Sequence, residues 1–299
     1  MRITAPVQKV SVGLPVFNGQ QHLPQAIESI LGQTFTEIEL IITDNASTDN
    51  TQEICRRYAA SDPRIRYYRH PSNVGVTQNY NAAFGYARGI YFKWASANDF
   101  CEADFLAECV AVLDRHPEVV LVCPLTRYVY ADATVNDEQC LELVDDGACA
   151  RFKTFLEVVS LNNVLNGLIR ADVLKRTALH KSFRGSDINL LAEVALHGKF
   201  AMVPDFLFNR RMDNECASYL RSDAQIEKMF EPESTKPMLF LSWKEDLEYF
   251  AAVQRARPAL RDRLCLYRYL VRRMFRDRAN LLKDLSQAGR VILAGRGGR

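Results

Sequence analysis

Residues 10–49 constrain the fold of this chain more than any other stretch. Val10, Val12, Gly13 and Leu14 form an apolar run of strand type that ends in Pro15-Val16-Phe17-Asn18-Gly19. Residues 22–33 carry a helical pattern. Residues 38–42 are a second apolar strand, ending in Thr43-Asp44-Asn45-Ala46-Ser47-Thr48-Asp49. A strand, a helix and a strand at this spacing make parallel neighbours joined by a right-handed crossover. Polar groups then gather at the C-terminal ends of two adjacent strands, where open α/β sheets bind ligands.

The alternation continues beyond this unit. Residues 49–60 read as a helix, with Ser47, Thr48 and Asp49 available to cap it. Residues 64–69 read as a short strand between Asp62-Pro63 and His70-Pro71. Tyr80, Ala83, Phe84 and Ala87 at helical spacing predict a helix over 76–88. A strand over 90–95, a helix over 102–115 and a fully apolar strand over 119–124 follow. The acid-rich stretch 128–147 has no clear period and predicts a loop or an edge hairpin. Helices are expected over 152–160, 171–176 and 188–197, and a strand over 200–208 that Pro204 should break. From Asp223 the chain turns helical and polar, with amphipathic stretches at 239–256 and 258–288 and an ending over 295–299 that reads as disordered. The organisation expected is a main domain over 1–222, with halves of about 1–125 and 126–222, and a basic helical extension over 223–299.

With 299 residues, 48% hydrophobic and 25% charged, the chain has the composition of a soluble globular protein. No apolar run approaches the roughly 20 residues that span a bilayer, and residues 1–10 hold no apolar stretch of signal-peptide length. The expected location is cytoplasmic. The eight cysteines include no Cys-x-x-Cys pair, which argues against zinc and for free thiols in a reducing compartment. A net charge of +2 hides an asymmetry: residues 255–299 hold 13 basic and 3 acidic residues, leaving 25 basic and 33 acidic for the rest. Arg268, Arg272, Arg273 and Arg276 recur beside Leu266, Tyr269, Leu270, Met274 and Phe275. That pattern fits peripheral membrane contact through 258–288, or an ordinary packed helix with a solvated basic face.

Three groups of residues carry candidate chemistry. Asp44 closes an apolar strand, where a carboxylate can accept the imide N–H of uracil or simply cap the next turn. His70 to Asn79 place Asn73 and Gly75 in a turn that opens a helix, with Asn79 one turn inside. Such a turn presents N–H groups and a positive dipole end to phosphate, unless it is only a connecting loop. Gly185-Ser186-Asp187 precede an apolar-periodic helix, a pattern that suits capping by Ser186 and leaves Asp187 available as a base.

These elements, in this order, resemble the family 2 glycosyltransferases over roughly residues 10–218, most closely over 10–99. The resemblance implies a GT-A nucleotide-binding fold: α/β, with a mainly parallel central sheet and, here, a C-terminal helical extension. It implies a hexosyl- or N-acetylhexosaminyl-transferase that takes its sugar from a nucleotide sugar, most often a UDP-sugar, and inverts the anomeric centre. The acceptor would be a saccharide, a lipid-linked saccharide or a small molecule. The family's pattern puts Asp44 at the nucleoside, with Pro15, Phe17 and Asn18 walling the pocket, Asn73, Gly75 and Asn79 at the donor, and Asp187 as base.

The chain departs from the family at the metal. The family's Asp-x-Asp triplet, whose carboxylate holds Mg²⁺ or Mn²⁺ against the diphosphate, reads Ser96-Ala97-Asn98 here, followed by Asp99. Ala97 and Asn98 are therefore expected at the donor and Asp99 at the ion. The family's later Arg-x-His pattern reads Arg211-Met212-Asp213, so Asp213 would restore the lost charge. The expectation is a weakly held divalent cation on Asp99 and Asp213, or a degraded site in a non-catalytic binding or assembly subunit. A nucleotidyltransferase of similar topology is disfavoured, because Pro15–Gly19 is neither Gly-rich nor basic. The five histidines stand far apart and form no set. The Gly-Arg-Gly-Gly-Arg ending is one short copy, so no nucleic-acid partner is expected.

Overall fold

The computed structural model describes residues 8–137, 139, 141–160, 162–212, 223–234 and 237–296. The first half follows the expected alternation: β1 (Val10–Val16), α1 (Leu23–Leu31), β2 (Ile38–Asp44), α2 (Thr51–Ser61), β3 (Ile65–Arg69), α3 (Val76–Gly85) and β4 (Tyr91–Trp94). Every residue of β1, β2 and β4 is buried, which is why those runs read as continuous rather than alternating. In α1 the buried Leu23, Ala26, Ile27 and Ile30 form one stripe against the sheet. Next come β5 (Phe100–Cys101), α4 (Phe105–Arg115), β6 (Val119–Val129) and β7 (Thr134–Asp137). The pairing of β6 with β7 is antiparallel, the edge hairpin among the two expected outcomes.

The middle of the chain holds elements that periodicity did not reveal. After α5 (Ala148–Val158) come a 3-10 turn at Asn163–Asn166 and β8 (Leu168–Arg170), then α6 (Ala171–Leu174), α7 (Ser186–His197) and β9 (Lys199–Arg211). Strands of two or three residues, like β5 and β8, are too short to show a period. Pro204 does not end β9. The register against β6 steps from Pro124–Val203 to Leu125–Phe206, so exposed Pro204 and Asp205 bulge out and the missing N–H falls outside the ladder. Four helices close the described chain: α8 (Asp223–Phe230), α9 (Leu241–Ala256), α10 (Leu260–Arg276) and α11 (Arg278–Arg296). The expected stretch 258–288 is thus two helices broken at Asp277, and α11 continues through 295–296, where disorder was expected.

The sheet runs in the order β3-β2-β1-β4-β8-β6-β9-β5, with β7 beside β6. The first four strands are parallel, β8 is antiparallel to β4 and β6, and β6 and β9 are again parallel. One core packs Leu23, Ile27, Phe105 and Leu106 against one face. The other gathers Phe84, Phe92, Trp94, Phe152, Phe155 and Leu190. A Cβ on Gly13 would lie 2.7 Å from Phe92 Cζ and 2.9 Å from Ala83 Cβ, so only a bare backbone lets α3 sit this close to β1.

The C-terminal helices are bound into this second core. Tyr249, Val253, Leu266 and Leu270 are buried there with α5 and α7, each apolar side chain worth about 1.5–3 kcal/mol. Arg255 donates to both oxygens of buried Glu193 on α7, at 2.8 and 2.9 Å. Cys149 on α5 and Cys265 on α10 form a disulfide with Cα atoms 6.2 Å apart, against the expectation of free thiols. Their separation of 116 residues left no local spacing to read. Among the described residues, Cys55, Cys101 and Cys109 are free thiols. No described helix is long and apolar enough to cross a membrane.

Candidate active site

The loops after β1 and β2 are tied together by hydrogen bonds that the sequence encodes locally. Asn18, at φ 51°, donates its N–H to Ser47 Oγ (3.0 Å) and accepts the Thr48 N–H on Oδ1 (2.8 Å). The Gly19 N–H reaches Thr51 Oγ1 at 2.9 Å, and the Gln20 N–H reaches Asp49 Oδ2 at 3.1 Å. Asp49 Oδ1 also accepts the Thr51 N–H at 3.0 Å, but the cap residue of α2 is Asn50 rather than Ser47, Thr48 or Asp49, and its side chain makes no cap bond. The two strand-end loops therefore form one polar shelf.

A cavity of about 570 Å³ opens on this shelf, a size suited to a small molecule or nucleotide. Pro15, Phe17, Asn18, Asn73, Asn79, Ala97 and Asn98, all expected at the donor, lie together in its lining. Asn45, Tyr80 and Ser96 line it as well, and α8 supplies Gln225, Lys228 and Met229. Asn79 is buried and donates to the Val16 carbonyl at 3.4 Å, while its Oδ1 has no partner among the described residues. A buried acceptor left unpaired is costly, and a ligand N–H would satisfy it.

Asp44 and Gly75 do not line the cavity. Asp44 is fully buried; its Oδ1 accepts the Ser47 N–H at 2.8 Å, and its Oδ2 accepts the Tyr67 hydroxyl at 2.8 Å and Arg69 Nε at 3.1 Å. It shapes the shelf from beneath. The side chain that reaches the cavity is its neighbour Asn45, held by Asn73 Oδ1 (2.7 Å) and the Val74 N–H (2.8 Å). The 73–75 turn is likewise a scaffold: the Val74 N–H is spent on Asn45, and the Gly75 N–H on Asn73 Oδ1 at 3.0 Å. Gly75 has φ +84°, and a Cβ there would lie 2.2 Å from the Phe230 carbonyl oxygen at the end of α8. Glycine is required on both counts.

Asp187 lies in the first turn of α7, half-buried, and accepts a hydrogen bond from Asn162 Nδ2 at 2.7 Å. It does not line the cavity. Between the two stands His180, which packs edge-on against Trp94 (4.9 Å) and cavity-lining Tyr80 (5.3 Å). Burial pushes His180 down to about 4, against the opposing pull of the Asp187 carboxylate. Ser186 does not cap α7; Gly185, at φ +86°, is the cap residue, and no side chain bonds the free amides.

The triplet position offers only neutral oxygens. Ser96 Oγ donates to Asn98 Oδ1, so these two side chains satisfy each other. Asp99 is buried behind them and accepts the Arg211 N–H at 3.0 Å. Burial pushes its carboxyl up to about 6, although that hydrogen bond and the charges of Arg210, Lys93 and Arg211 pull the other way. Asp213 lies outside the described residues. Among the described residues no group of three or more His, Cys, Asp or Glu side chains could hold a metal ion. Among the described residues, the donors lining the cavity do not fit a divalent cation, which depends on carboxylate oxygens.

Comparison with known proteins follows this geometry. The model of glycosyl transferase family 2 matches residues 11–167, just over half of the chain. The chondroitin synthase of Escherichia coli is 34% identical over 229 residues, which are 75% of this chain and 32% of that protein. The hyaluronan synthase of Pasteurella multocida is 29% identical over 129 residues, 43% of this chain and 13% of that protein. The chain thus spans about a third or less of these relatives. Among solved structures, Staphylococcus aureus TarS 1–349 in complex with UDP superposes with a TM-score of 0.55 at 17% identity, over 83% of this chain and 71% of that one. The mannosyltransferase PcManGT from Pyrobaculum calidifontis, in complex with GDP-Man and Mn²⁺, gives 0.54 at 15% identity, over 94% and 86%. At these identities the likeness is one of fold: a GT-A sheet with helices on both faces.

Proposed function

This chain belongs to glycosyl transferase family 2, and from that premise we propose that it transfers a sugar from a UDP-sugar to an acceptor hydroxyl. The observation that carries the proposal is the cavity at the ends of β1, β2 and β4, with Asn79, whose buried Oδ1 lacks a partner among the described residues, in its lining. Asn45 and Asn79 offer hydrogen bonds to the nucleoside, and Phe17 and Pro15 wall it. The loop at Ser96–Asn98 faces the sugar phosphate. Asp187 is the proposed base; it does not line the cavity, so the acceptor hydroxyl has to extend from it, past His180, to the anomeric carbon. In the inverting step the acceptor oxygen bonds to the anomeric carbon and its proton passes to Asp187. The bond from the anomeric carbon to the phosphate oxygen breaks, and its electron pair leaves with the diphosphate. The proposed main domain is residues 1–222; the extension 223–299 is built into the same fold and contributes α8, with Gln225, Lys228 and Met229, to the cavity. A divalent cation, as in the Mn²⁺-bound mannosyltransferase, would have Asp99 and Asp213 as its carboxylates and is proposed to be weakly held at most.

The test is calorimetry with UDP, GDP and uridine on the full chain, followed by donor hydrolysis across UDP- and GDP-sugars. Micromolar binding of UDP with slow hydrolysis of one UDP-sugar is expected. Asn79→Ala should weaken UDP by about 1–3 kcal/mol, the cost of an unpaired buried group. Ser96 and Asn98, in place of the family's carboxylates, favour a second reading: a nucleotide-binding subunit without turnover. UDP binding with no hydrolysis or transfer from any donor would select it.

A further inference from the structure

The cavity has an unusual charge inventory for a site that receives a diphosphate. Among the described residues, none of those lining it is acidic, and Lys228 is its single Lys or Arg. The other cations near the shelf are committed elsewhere. Arg69 is held by the Asp44 carboxylate and the Ser47 carbonyl. Lys93 is buried beneath the shelf, with its ammonium on the Asn166 carbonyl and between the rings of Phe105 and Phe208. Arg211 is bound to Gln25 and lies over Phe100. Lys228 is exposed, and no ion pair joins it among the described residues.

The position of Lys228 is fixed by the helix that carries it. Phe230, two residues on, sets its carbonyl against the bare Cα of Gly75, and Pro232 packs at the same place. Glu227 accepts the Met238 N–H at 2.9 Å, which pins the outer side of α8. The same turn therefore anchors to the donor shelf and presents its ammonium to the cavity. A compact ammonium is a point charge well suited to phosphate.

We propose that Lys228 is the diphosphate-binding cation of this site, so that a nucleoside diphosphate is held by the protein's own charge without a tightly bound divalent ion. This deepens the glycosyltransferase reading and rests on it: the ammonium takes up the negative charge left on the diphosphate when the sugar departs. The test is calorimetry on the full chain in EDTA at low salt, with UDP against uridine and GDP against guanosine, on wild type, Lys228→Ala and Lys228→Arg. Wild type should bind the diphosphate at least about 10-fold more tightly than its nucleoside. Lys228→Ala should lose most of that factor with nucleoside affinity unchanged, and Lys228→Arg should restore it. Nucleoside affinity is the control that a misfolded variant would fail. Undiminished diphosphate binding by Lys228→Ala overturns the proposal, as does wild-type binding that vanishes in EDTA and returns with Mn²⁺. Wild type that binds none of the four compounds, with or without Mn²⁺, refutes the nucleotide-site reading itself.

Discussion

Replacing Asp44 should damage the fold before it damages binding. The carboxylate is fully buried and accepts from Ser47 N–H (2.8 Å), the Tyr67 hydroxyl (2.8 Å) and Arg69 Nε (3.1 Å). Asp44→Ala leaves all three donors without their acceptor. Ser47 is buried, so its amide cannot recruit water, and a buried unpaired donor costs about 1–3 kcal/mol. The Arg69 side chain is 33% exposed and recovers part of its loss from solvent. The sum is about 3–5 kcal/mol, the range for breaking a buried pair from one side. Asp44→Asn keeps an oxygen for the Ser47 amide but turns an NH₂ toward Arg69, so about half that cost is expected. Urea unfolding of the three proteins measures this directly, as midpoint shifts at constant slope. Calorimetry with UDP on the folded variants should show a smaller effect for Asp44→Asn than for Asn45→Ala. An unchanged unfolding midpoint for Asp44→Ala, together with a UDP affinity reduced tenfold or more, would refute the reasoning and return Asp44 to the nucleobase.

Asp187→Asn should leave UDP affinity nearly intact and lower turnover by about 10²-fold or more, measured by steady-state transfer once a donor is known. Wild-type turnover in that variant would remove Asp187 from the mechanism. Burial holds His180 at about 4, below the ordinary 6.5, so the stability of its neutral form is fully present above pH 6.5 and is lost as pH falls toward 4. His180→Gln should flatten the unfolding free energy across that window, and an unchanged slope would oppose it. On α10, Leu266 and Leu270 face the core and Arg273 is bound to Glu245 and Asp246, so the surface left for a membrane is Leu260, Leu264, Val271 and Phe275 beside Arg268, Arg272 and Arg276. Vesicles with about a third anionic lipid should sediment the protein at low salt, and Leu264→Asp with Phe275→Asp should abolish this; no binding by wild type would end the idea.

The parallel half of the sheet was legible because long, fully buried strands alternate with helices that carry an apolar stripe. The shortest strands were not, since β5 at one edge and β8 between β4 and β6 hold two and three residues and owe their state to the strands beside them. Pro204 was read as a break because sequence shows the missing donor but not whether a bulge absorbs it. The disulfide was hidden because α5 and α10 meet only after the chain between them has folded. Asp213 was read as a restored charge, and it lies outside the described residues.

The misplacement of Asp44 has a more general cause. Successive residues at the end of a strand point to opposite sides. Of two adjacent polar residues, Asp44 and Asn45, one must turn toward the cavity and the other beneath it. The sequence shows that a polar pair follows Ile42 but not which member lands on which side, because the parity depends on where the strand stops. The structure decides it through partners that come later in the chain. Tyr67 and Arg69 on β3 meet Asp44 from below, and Asn73 and Val74 meet Asn45 from the side of α3. A carboxylate suits the lower position, where it accepts from the Ser47 amide, the Tyr67 hydroxyl and the Arg69 guanidinium at once. An amide suits the upper one, where it must both accept from a backbone N–H and donate to a neighbour. Lys228 was illegible for a related reason. Nothing local marks it among 38 basic residues, and its role rests on Gly75, some 150 residues earlier, leaving room for the Phe230 carbonyl. The glycine was visible in the sequence as a turn; what it makes room for is a property of the fold alone.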